Sequence, residues 1–380
     1  MARLAVGIEG NCAAPMKLEK LSLRLFASVM RVDSLWVPDH YLSFVPRAVW
    51  RPEHTPAARL VGSPDAYFDP FVMLGMMAQR HRRIRLGTGV TEPFRRHPAT
   101  LAQAFVTLDH LTGGRAILGI GNGERENTEP YGIPFTKRVA RLSEALEIIR
   151  RLWSSRGEPV DFDGSFWTLR RALFATPLYR DRPPALWVAA HAPKMLALTG
   201  RHADGWYPTL KMTADDYRGR LDRIRAAAAD AGRDFRAFEP GLQLQVVVGK
   251  DRTTVLARLA ASKVAGAMSM LLPAAVWRAH GLRHPLGETF EGFPDFVPEE
   301  VTPAAIEDAH RRVTPALLGD GISAGSPEEI ARDVERLVHA GLKHVVLWNL
   351  TPLLDGGSPA GLLRLTQLVR RLKRIELPAG

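Results

Sequence analysis

The stretch Ser34-Leu-Trp-Val-Pro-Asp-His-Tyr41 runs from strand-forming apolar residues straight into a carboxylate, Asp39, and an imidazole, His40. In a parallel α/β protein, polar side chains just past the carboxyl end of a buried strand stand at the mouth of the sheet or barrel, where ligands bind. A histidine there can carry a proton near neutral pH, and a carboxylate beside it can orient it or balance its charge. An isolated Asp-His pair can equally be a helix cap next to a loop histidine. Other strands in the chain end the same way, which favours chemistry. Glu124 follows Ile117-Leu-Gly-Ile-Gly-Asn-Gly123, with an ion pair to a neighbouring arginine as its plain alternative. His191 follows Trp187-Val-Ala-Ala190, just before a helix start whose free amides suit a phosphate.

Glycines at 87, 89, 119, 121 and 123 let backbone come close to a flat ligand, whereas ordinary core strands disfavour glycine. Gly119-x-Gly121 is not a dinucleotide fingerprint, because Glu124 stands where the third glycine belongs. A phosphate loop of the GxxxxGK[ST] type, a Gly-x-Ser-x-Gly elbow and HExxH are all absent. His280 and His284 are four apart, but Gly281 and Pro285 argue against one helix presenting both, so no metal site is expected.

These residues need a scaffold that brings strand ends together. Strand-type runs at 4–9, 35–39, 84–90, 116–121, 186–190, 205–209, 242–248 and 344–349 alternate with amphipathic helical stretches at 18–31, 98–111, 137–153, 193–202, 214–231, 253–265, 327–340 and 362–375. Eight such strands are what a closed (β/α)8 TIM barrel needs. Three stretches exceed a minimal barrel: the proline-rich 44–68, a hairpin at 160–169 turning at Asp163-Gly164, and 266–315. The first and third are expected as insertions at the carboxyl-terminal face of one barrel domain spanning 1–380.

The 380 residues are 46% hydrophobic and 24% charged, the composition of a globular chain with a large core. A single cysteine, Cys12, excludes an intrachain disulfide and points to a reducing, cytoplasmic setting. Neither the N-terminal residues nor the interrupted apolar run 264–277 has the length of a signal core or a membrane span. The net charge of +11 suits an anionic ligand, yet the basic residues are scattered and no nucleic-acid signature accompanies them.

Asp39-His40, Gly87-Thr-Gly-Val90, Asn122-Gly-Glu124 and Trp187-Val-Ala-Ala-His-Ala-Pro193, in this order, resemble the bacterial luciferase-like superfamily, in its coenzyme F420-dependent branch. Within it, Gly119-Ile-Gly-Asn-Gly-Glu-Arg-Glu-Asn-Thr-Glu-Pro-Tyr-Gly132, Trp187 to Leu196 and His280-Gly-Leu-Arg-His-Pro-Leu-Gly287 resemble the phthiodiolone ketoreductase group. The resemblance covers essentially the whole chain. It implies a deazaflavin at the carboxyl ends of the strands, buttressed by a non-proline cis peptide at Gly89–Val90. It implies further that Asp39 and His40 lie beside cofactor and substrate, that Glu124 lies beside the ring's N1 region, and that Asn122, Gly123, Ala190, His191 and Ala192 contact the cofactor. FMN, used by monooxygenases on the same barrel, is the alternative cofactor, and a carrier without turnover is a third reading. The resemblance also implies a homodimer.

The chemistry implied is hydride transfer between reduced F420 and a ketone, with His40 as proton donor or acceptor and Asp39 orienting it or stabilising its charge. Sugar-phosphate dehydrogenases of the branch would present a glutamate after the first strand and a tryptophan after Asp-His. Here those positions are Ala13 and Phe44. The departures favour an apolar, lipid-like ketone. Methionine adapts to irregular apolar ligands, so Met270 and Trp277 in the segment 265–277 are expected to line the substrate channel with Phe44, aided by Phe290, Phe293 and Phe296.

Overall fold

The computed structural model describes residues 2–378. Its strands are β1 (Ala5–Glu9), β2 (Ser34–Val37), β3 (Arg85–Thr88), β4 (Ala116–Ile120), β5 (Val160–Asp163), β6 (Thr168–Ala172), β7 (Ala185–Val188), β8 (Gly205–Trp206), β9 (Glu239–Val248), β10 (Ser323–Gly325) and β11 (His344–Asn349). Parallel pairing runs β1-β2-β3-β4-β7-β8-β9-β11 and returns from β11 to β1, which closes an eight-stranded barrel. Each of the eight expected strands is one of these staves. The short β10 pairs with the outer end of β9, Ser323 opposite Val246, and β5 with β6 forms an antiparallel hairpin outside the barrel.

The barrel interior is filled by Trp36, Trp187, Tyr207, Ile117 and Val346. Two indoles in one small barrel require neighbours without side chains. A Cβ on Gly205 would come within 2.4 Å of the Trp187 ring, and one on Gly87 within 2.9 Å of the Trp36 ring. Gly87 is therefore a packing glycine, not the ligand-facing one expected from its motif. Gly119 belongs with it, because a Cβ there would sit 1.9 Å from the Thr88 carbonyl oxygen.

At the amino-terminal end of the barrel the polar groups form a continuous chain. Trp36 Nε1 donates to Ser34 Oγ at 2.8 Å, His344 bonds Ser34 Oγ at 2.7 Å and Glu239 Oε1 at 2.7 Å, and Arg85 donates to both Glu239 oxygens. Burial opposes the charge on Glu239, but His344 and Arg85 outweigh it and hold the carboxyl at about 2. This histidine and carboxylate fasten strands together at the end where barrel conservation reflects stability rather than catalysis.

Helices surround the barrel. The helix Pro70–Arg80 was not anticipated, because its sequence PFVMLGMMAQR is apolar nearly throughout and shows no clear stripe; Asp69 starts it by accepting from the Phe71 and Val72 amides. The expected helix over 253–265 is two helices, Arg252–Ala260 and Lys263–Met268, because the Ser262 side chain caps the second. The segment 266–315 folds into short helices around a second core that it shares with Val45, Val49, Val255 and Leu317, and Met270, Trp277 and Phe296 are fully buried in it. Among the described residues no helix is long and apolar enough to cross a membrane.

Candidate active site

A cleft opens at the carboxyl ends of the barrel strands. Glu9 and Gln243 form its floor, Gly89 and Val90 one side, and His40 and Glu124 stand at its mouth. Phe44, Tyr67, Phe293 and Trp348 give it largely aromatic walls. The Gly89–Val90 peptide is cis, where the resemblance places one. Glycine is needed there, since a Cβ on Gly89 would lie 2.7 Å from Tyr207 Oη and 3.0 Å from Glu9 Oε2.

His40 is held by residues from the loop after β4. Its Nδ1 lies 2.7 Å from Glu126 Oε1 and 3.1 Å from Asn127 Nδ2, while Nε2 is 3.6 Å from Glu124 Oε2. Phe44 meets the imidazole edge-on at 4.9 Å between ring centres, and Phe293 meets Phe44 in the same way at 4.8 Å. Burial pushes the Glu124 carboxyl up to about 7 against the opposing pull of His40, so it exchanges a proton near neutral pH.

Asp39 does not orient His40, contrary to the expectation from its neighbouring position. Its Oδ2 accepts from Thr91 Oγ1 at 2.6 Å and from Arg96, and Arg95 Nη2 lies 3.2 Å from Oδ1 while bonding the Asp39 carbonyl oxygen at 2.6 Å. The physical reason is backbone alternation. Successive side chains past β2 point to opposite sides, so Asp39 turns outward to two arginines while His40 turns inward. Both Asp39 and Arg95 are buried, and Glu92 completes the set through a second ion pair with Arg95.

The floor carries a second carboxyl. Glu9 Oε2 accepts from Tyr207 Oη at 2.9 Å and from Gln243 Nε2 at 2.8 Å, and burial raises Glu9 to about 7. The other amide atom, Gln243 Oε1, is buried without a partner. Glu9, Gln243 and Glu126 were missed in the sequence reading, though Glu9 ends a strand with a carboxylate as plainly as the 34–39 run does. Gln243 and Gln245 are likewise polar side chains in the otherwise apolar run Leu242–Val248, which marks a face turned toward a polar site.

On the neighbouring rim, His191 Nε2 accepts from the Thr209 amide at 3.2 Å, and Thr209 lines the cleft. Burial and then Arg220 push His191 down to about 4, so it is neutral at pH 7. An anion at this rim would rely on the amides of the helix Pro193–His202, whose first residues follow the exposed Ala192 with no side-chain cap. Ala190 is buried, its carbonyl accepting from Trp206 Nε1 at 2.9 Å. Asn122 and Gly123 lead into Glu124, with Gly123 at φ 75 packed beneath Phe94 and Phe135.

Met270 and Trp277 do not reach the cleft. Trp277 Nε1 donates to the Ser269 carbonyl at 3.2 Å, His284 bonds the Met270 carbonyl, and Phe290 stacks on His284. The apolar segment found a partner in its own inserted helices, so the expected channel is walled by Phe44 and Phe293, with Phe290 and Phe296 behind them.

The residues present fit a flat heterocycle with an N–H edge. The orphaned Gln243 Oε1 is an acceptor at the floor, Gly89 leaves room where any side chain would collide, and Glu124 is a titratable group at the mouth. His40, Glu124 and Glu126 bring donor atoms within 4.8 Å of one another. The hydrogen bond between His40 Nδ1 and Glu126 Oε1 already occupies two of these groups.

A family model described as luciferase-like monooxygenase matches residues 32–344. The chain is 41% identical over 354 residues to the phthiodiolone/phenolphthiodiolone dimycocerosates ketoreductase of Mycobacterium kansasii, covering 92% of this chain and 96% of that protein. It is 30% identical over 291 residues to the 5,10-methylenetetrahydromethanopterin reductase of Archaeoglobus fulgidus, covering 77% and 82%. Among solved structures, an F420-dependent secondary alcohol dehydrogenase in complex with an F420-acetone adduct superposes with a TM-score of 0.72 at 20% identity, covering 97% and 99%. Closed barrel, strand-end cleft and family match agree: the chain belongs to the luciferase-like family and is one of its oxidoreductases.

Proposed function

We propose that the protein is an F420-dependent reductase of a large apolar ketone, able to run in reverse as an alcohol dehydrogenase. The observation that carries this reading is an imidazole, His40, tethered by buried carboxyl chemistry and opening onto an aromatic-walled cleft above the Gly89–Val90 peptide. Identity to a named ketoreductase over nearly the full chain supports the reaction class.

Reduced F420, when bound, supplies a hydride. The chain's own residues then supply position and a proton. Gln243 Oε1 would accept from an N–H edge of the ring, and Glu124 would tune charge from the mouth of the cleft. The uncapped amides in the first turn of the helix Pro193–His202 would meet the cofactor's phosphate. His40 Nε2 gives a proton to the oxygen that gains negative charge as the carbonyl is reduced. Phe44 and Phe293 exclude water and contact an alkyl chain, which gains about 0.8 kcal/mol per buried methylene; a sugar would leave its hydroxyls without partners against the same walls.

The test is steady-state reduction of a ketone series with reduced F420. Expected are a kcat/KM that rises with alkyl length and a His40→Ala variant that binds F420 normally yet turns over roughly 10²–10⁴-fold more slowly. Equal efficiency on short and long ketones removes the apolar substrate, and full activity of the variant removes His40 as the acid.

A further inference from the structure

Glu126 is fully buried, reaches the cleft only through His40, and has one carboxyl oxygen with no partner at all. A buried carboxylate in that condition is costly unless a proton or a cation compensates it. Its other oxygen meets the imidazole at 2.7 Å and accepts from Asn127 Nδ2 at 3.3 Å.

We propose that Glu126 and His40 form a proton-sharing dyad, in which Glu126 both fixes the ring and replaces at Nδ1 the proton that Nε2 delivers to the substrate oxygen. Glu126 is thus a positioning residue, acting through His40 and not on the substrate. This deepens the ketone-reduction reading and rests on it.

Three features of the geometry support the dyad. The Tyr41 backbone amide donates to Asn127 Oδ1 at 2.8 Å, which turns the Asn127 amide nitrogen inward, 3.1 Å from Nδ1 and 3.3 Å from both Glu126 Oε1 and Glu124 Oε2. With Nδ1 committed to Glu126, Nε2 is the nitrogen on the cleft side, beside Glu124. Phe44 and Tyr67 pack against the ring, with centroids at 4.9 and 6.0 Å, and leave it little freedom to flip. Burial, reinforced by Asp65, holds the Glu126 carboxyl well above the usual range, against Arg95 and Asn127. The other titratable groups facing the dyad are Glu124 at the mouth, Glu9 at the floor and Tyr67 on the wall.

The step balances. As the carbonyl carbon takes the hydride from reduced F420, its π electrons pass to oxygen, and an O–H bond forms while the Nε2–H bond breaks. The Nδ1–H bond is retained or formed at the expense of the Glu126 O–H, so the dyad ends as a neutral ring hydrogen-bonded to a carboxylate. One hydride and one proton are consumed, and the lost proton returns from water at the cleft mouth.

The experiment compares Glu126→Gln and Glu126→Asp with the parent in three measurements: 15N NMR of the His40 ring without cofactor, F420 affinity, and the pH profile of kcat/KM for ketone reduction. The protonated dyad is the active form, so the rate falls as pH rises through its apparent titration. Removing the carboxylate that favours a charged ring moves this alkaline limb down by about one pH unit and lowers kcat at least about tenfold. F420 affinity stays at the parent value, the neutral ring loses its Nδ1–H preference, and the Asp variant recovers part of both signatures. A Gln variant with the parental pH profile and ring tautomer overturns the dyad. If the parent turns over no ketone with reduced F420, the function reading falls and the NMR comparison alone decides the dyad. If the Gln variant does not fold, parental NMR decides: an Nδ1 free of hydrogen bonding overturns it.

Discussion

Glu9 provides a quantitative test of the cleft floor that needs no substrate. Its carboxyl is raised from 4.5 to about 7, chiefly by burial, with the Gln243 and Tyr207 hydrogen bonds and His40 acting the other way. A carboxyl whose folded value lies above its unfolded one stabilises the fold fully below pH 4.5 and loses that contribution as pH rises through 7. The gap of about 2.5 units corresponds to about 3 kcal/mol at 1.36 kcal/mol per unit, of which some 2–3 kcal/mol disappears between pH 5 and 7.5. Glu9→Gln keeps an oxygen to accept from Tyr207 and Gln243 but cannot titrate. Urea unfolding of parent and variant, followed by tryptophan fluorescence across that range, isolates Glu9, because every other titrating group cancels in the difference. The parent should lose about 2–3 kcal/mol relative to the variant as pH rises. Parallel pH dependences for the two proteins would show that Glu9 is ionised throughout, and the description of the floor would be wrong.

Asp39→Asn leaves Arg95 and Arg96 without their shared carboxylate, and its expected cost is about 3–5 kcal/mol in unfolding free energy, with Arg95 the buried partner; an unchanged urea midpoint would contradict the structural role assigned here. Trp277→Ala should cost about 3–5 kcal/mol of stability while leaving the dependence of kcat/KM on ketone chain length intact. Phe293→Ala should do the opposite, flattening the chain-length trend at modest cost in stability, since that ring lines the cleft. Loss of the trend in the Trp277 variant would return the channel to the inserted helices.

The barrel was legible because most staves are short apolar runs set between amphipathic helices, and a parallel strand pattern repeated eight times has few other closures. The strand-end placement of His40 and Glu124 was legible for the same reason. What was not legible depends on contacts between distant segments. Asp39 and His40 are adjacent in sequence yet point to opposite sides, and only the position of Arg95 and Arg96 reveals which neighbour keeps Asp39. Glu126 reads as one more acid in a charged loop until the chain brings it under His40, eighty-six residues away. Met270 and Trp277 look like channel residues because apolar segments of insertions resemble ligand walls; composition does not distinguish a wall from a satellite core. The three-residue strand Ser323–Gly325 is too short to carry a period at all.

Cofactor identity is the claim on which the rest depends, and it is measured most directly by titrating the purified protein with F420 and, separately, with FMN while following absorbance or fluorescence. Saturable, micromolar F420 binding is expected, weakening modestly with added salt because a phosphate at helix amides is only partly screened, together with no comparable binding of FMN. Micromolar binding of FMN with indifference to F420 at saturating concentration would contradict it.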